Sequence, residues 1–254
     1  MSSLSGKRIL ITRPRSQASG LHRLLKAEGA EVLLLPTIVI APVEDTSRLD
    51  QALKDLGQGV YNWVILTSVN GVSACSDRLR QTGISIAAVF GSARVAAIGP
   101  ATAQALRELD IHVDFVPQEY VAERILDGLG DPAGQRILLP RAEIARPALA
   151  EALAKAGALV DEIAVYHTLP AEADPAGLAA LEQGVDAITF TSSSTVRSFV
   201  SLAGAQIGAA KVACIGPITA ATARELGLPV DLIASEYSMP GLVRALKEYY
   251  DGKK

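Results

Sequence analysis

Hydroxyl residues, glycine–proline pairs and arginines collect at a few points in this chain: Thr12-Arg13, Thr67-Ser68, Gly99-Pro100-Ala101-Thr102, Pro140-Arg141, Thr191-Ser192-Ser193 and Gly216-Pro217-Ile218-Thr219. Each follows a short apolar run and most precede a helical pattern. Their chemistry suits anion recognition. The free amides at a helix start favour negative charge by about 0.3–1 kcal/mol per contact, and hydroxyls donate to carboxylates without carrying charge themselves. Arg13, Arg141 and Arg146 add full positive charge. Any one Ser or Thr here also reads as a plain helix cap, worth about 1 kcal/mol. The set as a whole, with three arginines beside it, points to a polyanion site.

Other chemistries lose ground. The chain has no G-x-G-x-x-G after a strand, no G-x-x-x-x-G-K-[ST], no H-E-x-x-H and no C-x-x-C. His22, His112 and His167 are scattered without metal-ligand spacing, and no serine sits in a nucleophile elbow. Dinucleotide, nucleoside triphosphate, zinc and serine-hydrolase chemistry are the ones set back. Cys75 and Cys214 lie in apolar patterns and read as buried free thiols of a reducing compartment. A net charge of −3 argues against general nucleic-acid binding. The N-terminus lacks a secretory pattern, and the most apolar stretch, Val32 to Val43, is broken by Pro36 and Pro42, so no membrane span is expected. The expectation is a soluble, cytoplasmic protein.

The elements that must position these residues are duplicated. Arg94 to Leu129 returns as Lys211 to Leu246, with 15 of 36 positions identical in an ungapped alignment. In each copy an apolar run ends in Gly-Pro, a helix starts, a short strand ending in Val-Asp follows (Val113-Asp114; Val230-Asp231), and a tyrosine (Tyr120; Tyr237) precedes a last helix. Proline at the first helical position suits a helix start, because its missing N–H would have had no partner there. A second pair matches Lys7–Ile11, its helix, Gly29 and Glu31–Leu35 with Arg136–Leu139, its helix, Gly157 and Leu159–Val165. A third matches Trp63–Ser68 with Ala187–Ser192. Strands alternating with helices predict parallel α/β sheets, with the polar strand ends at the carboxyl edge where such sheets bind ligands.

At 254 residues, the chain has room for two domains of ordinary size. A tight loop, Gly128 to Gly134, joins the middle units and places them in one domain. Two extended, proline-punctuated segments, Pro36–Asp45 and Tyr166–Pro175, remain. The expected layout is a continuous domain over 46–162 and a discontinuous one from 1–35 and 175–254. Linker segments 36–45 and 163–174 would run side by side as a two-stranded hinge. Two sequential domains split at Asp131 are the simpler rival. The two Gly-Pro devices would form opposite walls of one cleft.

Positions where the copies differ serve more than the repeated fold. Tyr166 is one, matched by Ile38 in the first linker. Its phenol can donate or accept a proton, or the residue can simply be an aromatic that favours an extended segment. Tyr120 and Tyr237 read as packing residues at a helix start, and Trp63 as core or interdomain packing.

KRILITRP near the start, LTSVNGV at Leu66–Val72, AIGPATAQAL at Ala97–Leu106, LLPRAEIARPAL at Leu138–Leu149, VDEIAVYHT at Val160–Thr168, ITFTSSSTV at Ile188–Val196 and ACIGPITAATA at Ala213–Ala223 occur in this order across the chain. The ordered set resembles the uroporphyrinogen-III synthase family of tetrapyrrole biosynthesis. The resemblance implies two similar parallel-sheet α/β domains, flavodoxin-like, joined by a two-stranded extended linker. It implies a cyclising hydro-lyase that closes hydroxymethylbilane, a linear octacarboxylate, with loss of water and inversion of ring D, using no cofactor or metal. Because the precursor also closes spontaneously to the uninverted isomer, such an enzyme imposes geometry more than it supplies a nucleophile. The resemblance makes Tyr166 the acid that assists loss of the hydroxyl. It places substrate contacts at Thr12, Arg13, Ser68, Asn70, Thr102, Arg141, Ser192, Ser193 and Thr219; Arg146 joins them from its own placement before a helix. A monomer is implied, with at most transient hand-over from hydroxymethylbilane synthase, the preceding pathway enzyme. The alternative is a non-catalytic two-lobe binding or regulatory protein for a small polyanion.

Overall fold

The computed structural model describes residues 2–118 and 122–252. In chain order the elements are β1 (Arg8–Ile11), α1 (Ser19–Ala27), β2 (Glu31–Leu34), β3 (Ile38–Pro42), α2 (Ser47–Gly57), β4 (Trp63–Leu66), α3 (Val69–Thr82), α4 (Ile86–Phe90), β5 (Arg94–Ala97), α5 (Pro100–Arg107), β6 (Arg136–Ala142), α6 (Ala148–Lys155), β7 (Leu159–Pro170), α7 (Pro175–Glu182), β8 (Ala187–Phe190), α8 (Ser193–Ala203), β9 (Lys211–Cys214), α9 (Pro217–Glu225), β10 (Leu232–Ile233) and α10 (Met239–Asp251). Short 3-10 turns cover Arg15–Gln17 and Ala122–Gly128. Tyr120 lies outside the described residues. Among those described, no helix is long and apolar enough to cross a membrane.

Contacts divide the chain into two units, Met1–Val39 with Leu169–Lys254, and Ile40–Thr168. β1 and β4 accordingly lie in different sheets. The first unit holds a parallel sheet in the order β10-β9-β8-β1-β2. Its strands are apolar on both faces because both are covered. Ile9 and Ile11 pack with Leu21, Leu25, Leu242 and Leu246 of α1 and α10. Leu10, Ile188 and Phe190 pack with Val196, Phe199, Ala220 and Ala223 of α8 and α9. This period-two alternation follows from successive side chains leaving a strand on opposite faces.

The second unit repeats the plan as β3-β7-β6-β4-β5, with parallel pairing from β7 through β5. Val64, Leu66 and Leu138 face α2, α3 and α5 through Leu53, Val72, Cys75 and Leu106. Trp63, Ile65, Ile137 and Leu139 face α6 through Leu149 and Leu153, so Trp63 is core, with the Arg94 guanidinium 4.2 Å from its ring centroid. β7 is a single twelve-residue strand, which carries the expected short strand and the extended segment through Tyr166 as one piece, hydrogen-bonded to β3. Cys75 and Cys214 are buried free thiols, and burial pushes both up to about 12.

The strands expected to end in Val-Asp are placed differently. β10 begins after Asp231, and the other copy reduces to one bridge, Ala96 to Phe115. The aspartates serve the neighbouring strand instead: Asp114 accepts from Val95 N–H (2.7 Å) and Asp231 from Val212 N–H (3.0 Å). Asn62 and Asp186 repeat the device one strand further in, taking the amides of Arg136 (2.8 Å) and Arg8 (2.9 Å). A short polar side chain satisfies an amide at the sheet's amino edge that no strand reaches. Sequence alternation alone does not distinguish that use from a strand end.

Candidate functional site

Because the pairs from β10 through β2 and from β7 through β5 are parallel, the polar stretches collect at one edge of each sheet. Thr12, Arg13, Ser192, Ser193 and Thr219 belong to the first unit; Ser68, Asn70, Thr102, Arg141, Arg146 and Tyr166 belong to the second.

In the first unit Thr12 is fully buried and donates to the Thr189 carbonyl (2.8 Å), which makes it a tie between β1 and β8. Thr37, not anticipated, donates between the Thr12 and Thr195 carbonyls (3.2 and 3.1 Å). Ser192 caps α8 through Thr195 N–H (3.2 Å) and also meets the Ser194 hydroxyl (2.9 Å). Ser193 Oγ accepts from Thr222 (2.8 Å). Arg13 is half-buried, donates only to the carbonyl and side-chain oxygens of Gln17 (3.1 and 3.3 Å), and has no carboxylate partner among the described residues. Burial lowers its pKa from the usual guanidinium value. A cation desolvated without a counter-ion is a place where an anion gains the most.

The two Gly-Pro starts are built alike. Gly99 and Gly216 are extended N-cap residues without a side-chain cap, and proline opens each helix. The first helical bonds run from Ala103 to Gly99 and from Ala220 to Gly216, at 3.0 and 3.1 Å. The amides of Ala101 and Thr102, and of Ile218 and Thr219, therefore have no helical acceptor. Thr102 and Thr219 are each about 95% buried, and among the described residues neither hydroxyl has a hydrogen-bond partner. By contrast α3, α8 and α10 start on a capping serine. Tyr237 is 41% exposed, and its ring lies against Gly216, the N-cap of α9.

In the second unit Tyr166 is buried, and its phenol oxygen is 3.1 Å from Ser68 Oγ. Ser68 also caps α3, accepting from Gly71 N–H at 3.0 Å. A glycine at 71 lets this helix start approach β6, since a Cβ there would lie 3.3 Å from the Pro140 carbonyl oxygen. With the Gly71 amide on its lone pair, Ser68 can still give its own proton to the phenol oxygen and leave the phenolic proton free to be donated elsewhere. Asn70 follows in the first turn of α3.

Arg141 is used internally. Its side chain is 5% exposed, pairs with Glu162 (3.1 Å) and donates to the Arg146 carbonyl (2.6 Å). By alternation from Ile137 and Leu139 it lies on the α6 face of the sheet, whereas Tyr166 belongs to the core on the α3 face. Arg146 is exposed in the loop before α6. The structure thus brings Tyr166 to Ser68 and holds Arg141 apart from them. Sequence reading missed Glu143 and His167, whose carboxylate and imidazole meet at 2.9 Å directly beside Tyr166. No local pattern marks that pair, because it forms across two strands.

A cavity of about 630 Å³ opens at the amino edge of the second sheet, lined by Asn62, Arg94, Asp110, His112 and Asp114 among others. None of the candidate residues lines it, and its polar groups include strand-tying ones. The carboxyl edges, where both Gly-Pro helix starts lack a side-chain cap, are the better-built sites. Among the described residues no group of three or more His, Cys, Asp or Glu could hold a metal ion.

Residues 19–244 match the family model described as uroporphyrinogen-III synthase HemD. The chain is 35% identical over 258 residues to the uroporphyrinogen-III synthase of Synechococcus elongatus, covering 97% of this chain and 96% of that one. It is 28% identical over 250 residues to the uroporphyrinogen-III synthase of Chlorobaculum parvum, covering 95% and 98%. A crystal structure of a mutant uroporphyrinogen III synthase from the extremely thermophilic bacterium Thermus thermophilus shares the fold, with a TM-score of 0.68 at 22% identity over 98% of this chain and 100% of that one. The chain belongs to the uroporphyrinogen-III synthase family.

Proposed function

We propose that this chain is a cyclising hydro-lyase that converts hydroxymethylbilane to uroporphyrinogen III with loss of water and inversion of ring D, and that Tyr166 is its acid. The observation that carries this reading is the buried phenol held 3.1 Å from Ser68 Oγ at the carboxyl edge of a parallel sheet. In this reading the phenolic proton passes to the substrate hydroxyl, which leaves as water while an azafulvene cation forms. The proton released when the macrocycle closes restores the phenol. Within the second unit the uncapped start of α5, with Thr102 and Asn70, offers donors suited to carboxylates; within the first unit Arg13, Ser192, Ser193 and the uncapped start of α9, with Thr219, offer the same chemistry. Orientation supplies most of the acceleration and proton transfer adds on the order of 10²–10⁴-fold.

The test is Tyr166→Phe supplied with hydroxymethylbilane and analysed for product isomers. Expected is a kcat reduced by about 10²-fold or more, with product shifted to the uninverted isomer as spontaneous closure overtakes the enzyme. Full-speed formation of uroporphyrinogen III by this variant refutes the acid role. Wild-type protein that leaves the isomer ratio unchanged refutes the activity.

A further inference from the structure

The strand that carries Tyr166 keeps a register that simple alternation does not produce. From Arg136–Leu159 to Arg141–Ala164, β6 and β7 pair residue for residue; Ala142 then pairs with Tyr166, leaving Val165 as an extra residue. Ile163 and Val165 face the core on the α3 side, as a period of two requires, yet Tyr166 joins that same core. A bulge is the device that turns adjacent residues to one side and re-aims a side chain. Without it Tyr166 would leave on the opposite face, away from Ser68.

Glu143 closes the bulge from the β6 side. Its backbone N–H donates to the Tyr166 carbonyl (3.0 Å), and its carboxylate accepts from His167 Nδ1–H (2.9 Å). An ionised carboxylate can only accept, which puts the imidazole proton on Nδ1. One residue therefore grips the Tyr166 main chain and the next side chain along. The Glu143 side chain is 57% exposed and that of His167 25%, and a pair this open adds little to global stability. Its consequence is local.

We propose that Glu143 and His167 are positioning residues that lock the bulge and thereby hold the Tyr166 phenol toward Ser68. The kinetic consequence rests on Tyr166 being the acid; the register lock itself does not. In His167→Ala or Glu143→Ala, kcat falls roughly tenfold while KM stays within about twofold, as expected for misorientation rather than lost binding. His167→Gln, whose amide can still donate to Glu143, recovers most of the rate. In a Tyr166→Phe background the same substitutions have no further effect on kcat. An alanine variant with full kcat, or a loss equally large in the Tyr166→Phe background, overturns the kinetic proposal. A crystal structure of His167→Ala separates the two readings. If Tyr166→Phe is fully active, the acid role fails, yet a phenol displaced beyond hydrogen-bond reach of Ser68 in His167→Ala still supports the lock. An intact bulge with the Ser68–Tyr166 bond retained overturns it.

Discussion

Ser68→Ala removes two hydrogen bonds at once, and the duplicated fold supplies a control for one of them. Ser68 Oγ accepts from Gly71 N–H at the start of α3 and sits 3.1 Å from the Tyr166 phenol oxygen. Losing the cap costs about 1 kcal/mol. Leaving a buried phenol without its partner costs about 1 kcal/mol more. Ser192 is the counterpart at the start of α8, where it caps Thr195 N–H and meets another serine rather than a phenol. Ser192→Ala is therefore expected to cost about 1 kcal/mol, and Ser68→Ala about 2 kcal/mol. Urea unfolding followed by circular dichroism measures both. A double-mutant cycle of Ser68→Ala with Tyr166→Phe should return a coupling of about 0.5–1.5 kcal/mol. Equal costs for the two serines, with coupling near zero, would show that the phenol gains nothing from Ser68. The arrangement argued for Tyr166 would then be wrong.

Arg13→Ala is expected to raise KM about tenfold, the loss of one charge-assisted hydrogen bond, with little change in thermal midpoint, because Arg13 has no carboxylate partner among the described residues. Arg141→Ala should do the reverse, lowering stability by about 2 kcal/mol; this is less than a fully buried pair costs, since Glu162 is 44% exposed. Steady-state kinetics beside thermal melting checks both, and an exchange of the two patterns refutes the assignment of roles. Asp110→Gly should stabilise by roughly 0.5 kcal/mol, because Asp110 holds φ +58 where the repeat has Gly227 at φ +80. A lower melting temperature would reveal a task for the Asp110 carboxylate beyond the turn.

The Gly-Pro-x-Thr-Ala stretches were legible because a helix start is a local event. Proline, the free amides after it and the threonine beside them follow from a few consecutive residues, and copying the stretch made it unmistakable. The uses of Asp114 and Asp231 were not legible, because an aspartate after a valine reads as a strand end until the neighbouring strand's amide is seen 2.7 or 3.0 Å away. Arg141 shows the same limit from the other side. Its position after a strand suggested a ligand-facing cation, but only packing reveals that Glu162 and the Arg146 carbonyl already occupy it.

The sequence by itself determined the duplication, the alternation of strands and helices, and the family, because periodicity and ordered motifs survive without coordinates. It also singled out Tyr166 as the residue that the repeat does not explain. Tertiary structure decided where that phenol points. The decision lies in a one-residue slip between β6 and β7, held by Glu143 and His167 twenty-four positions apart, and no local pattern encodes a register set by pairing with a distant strand.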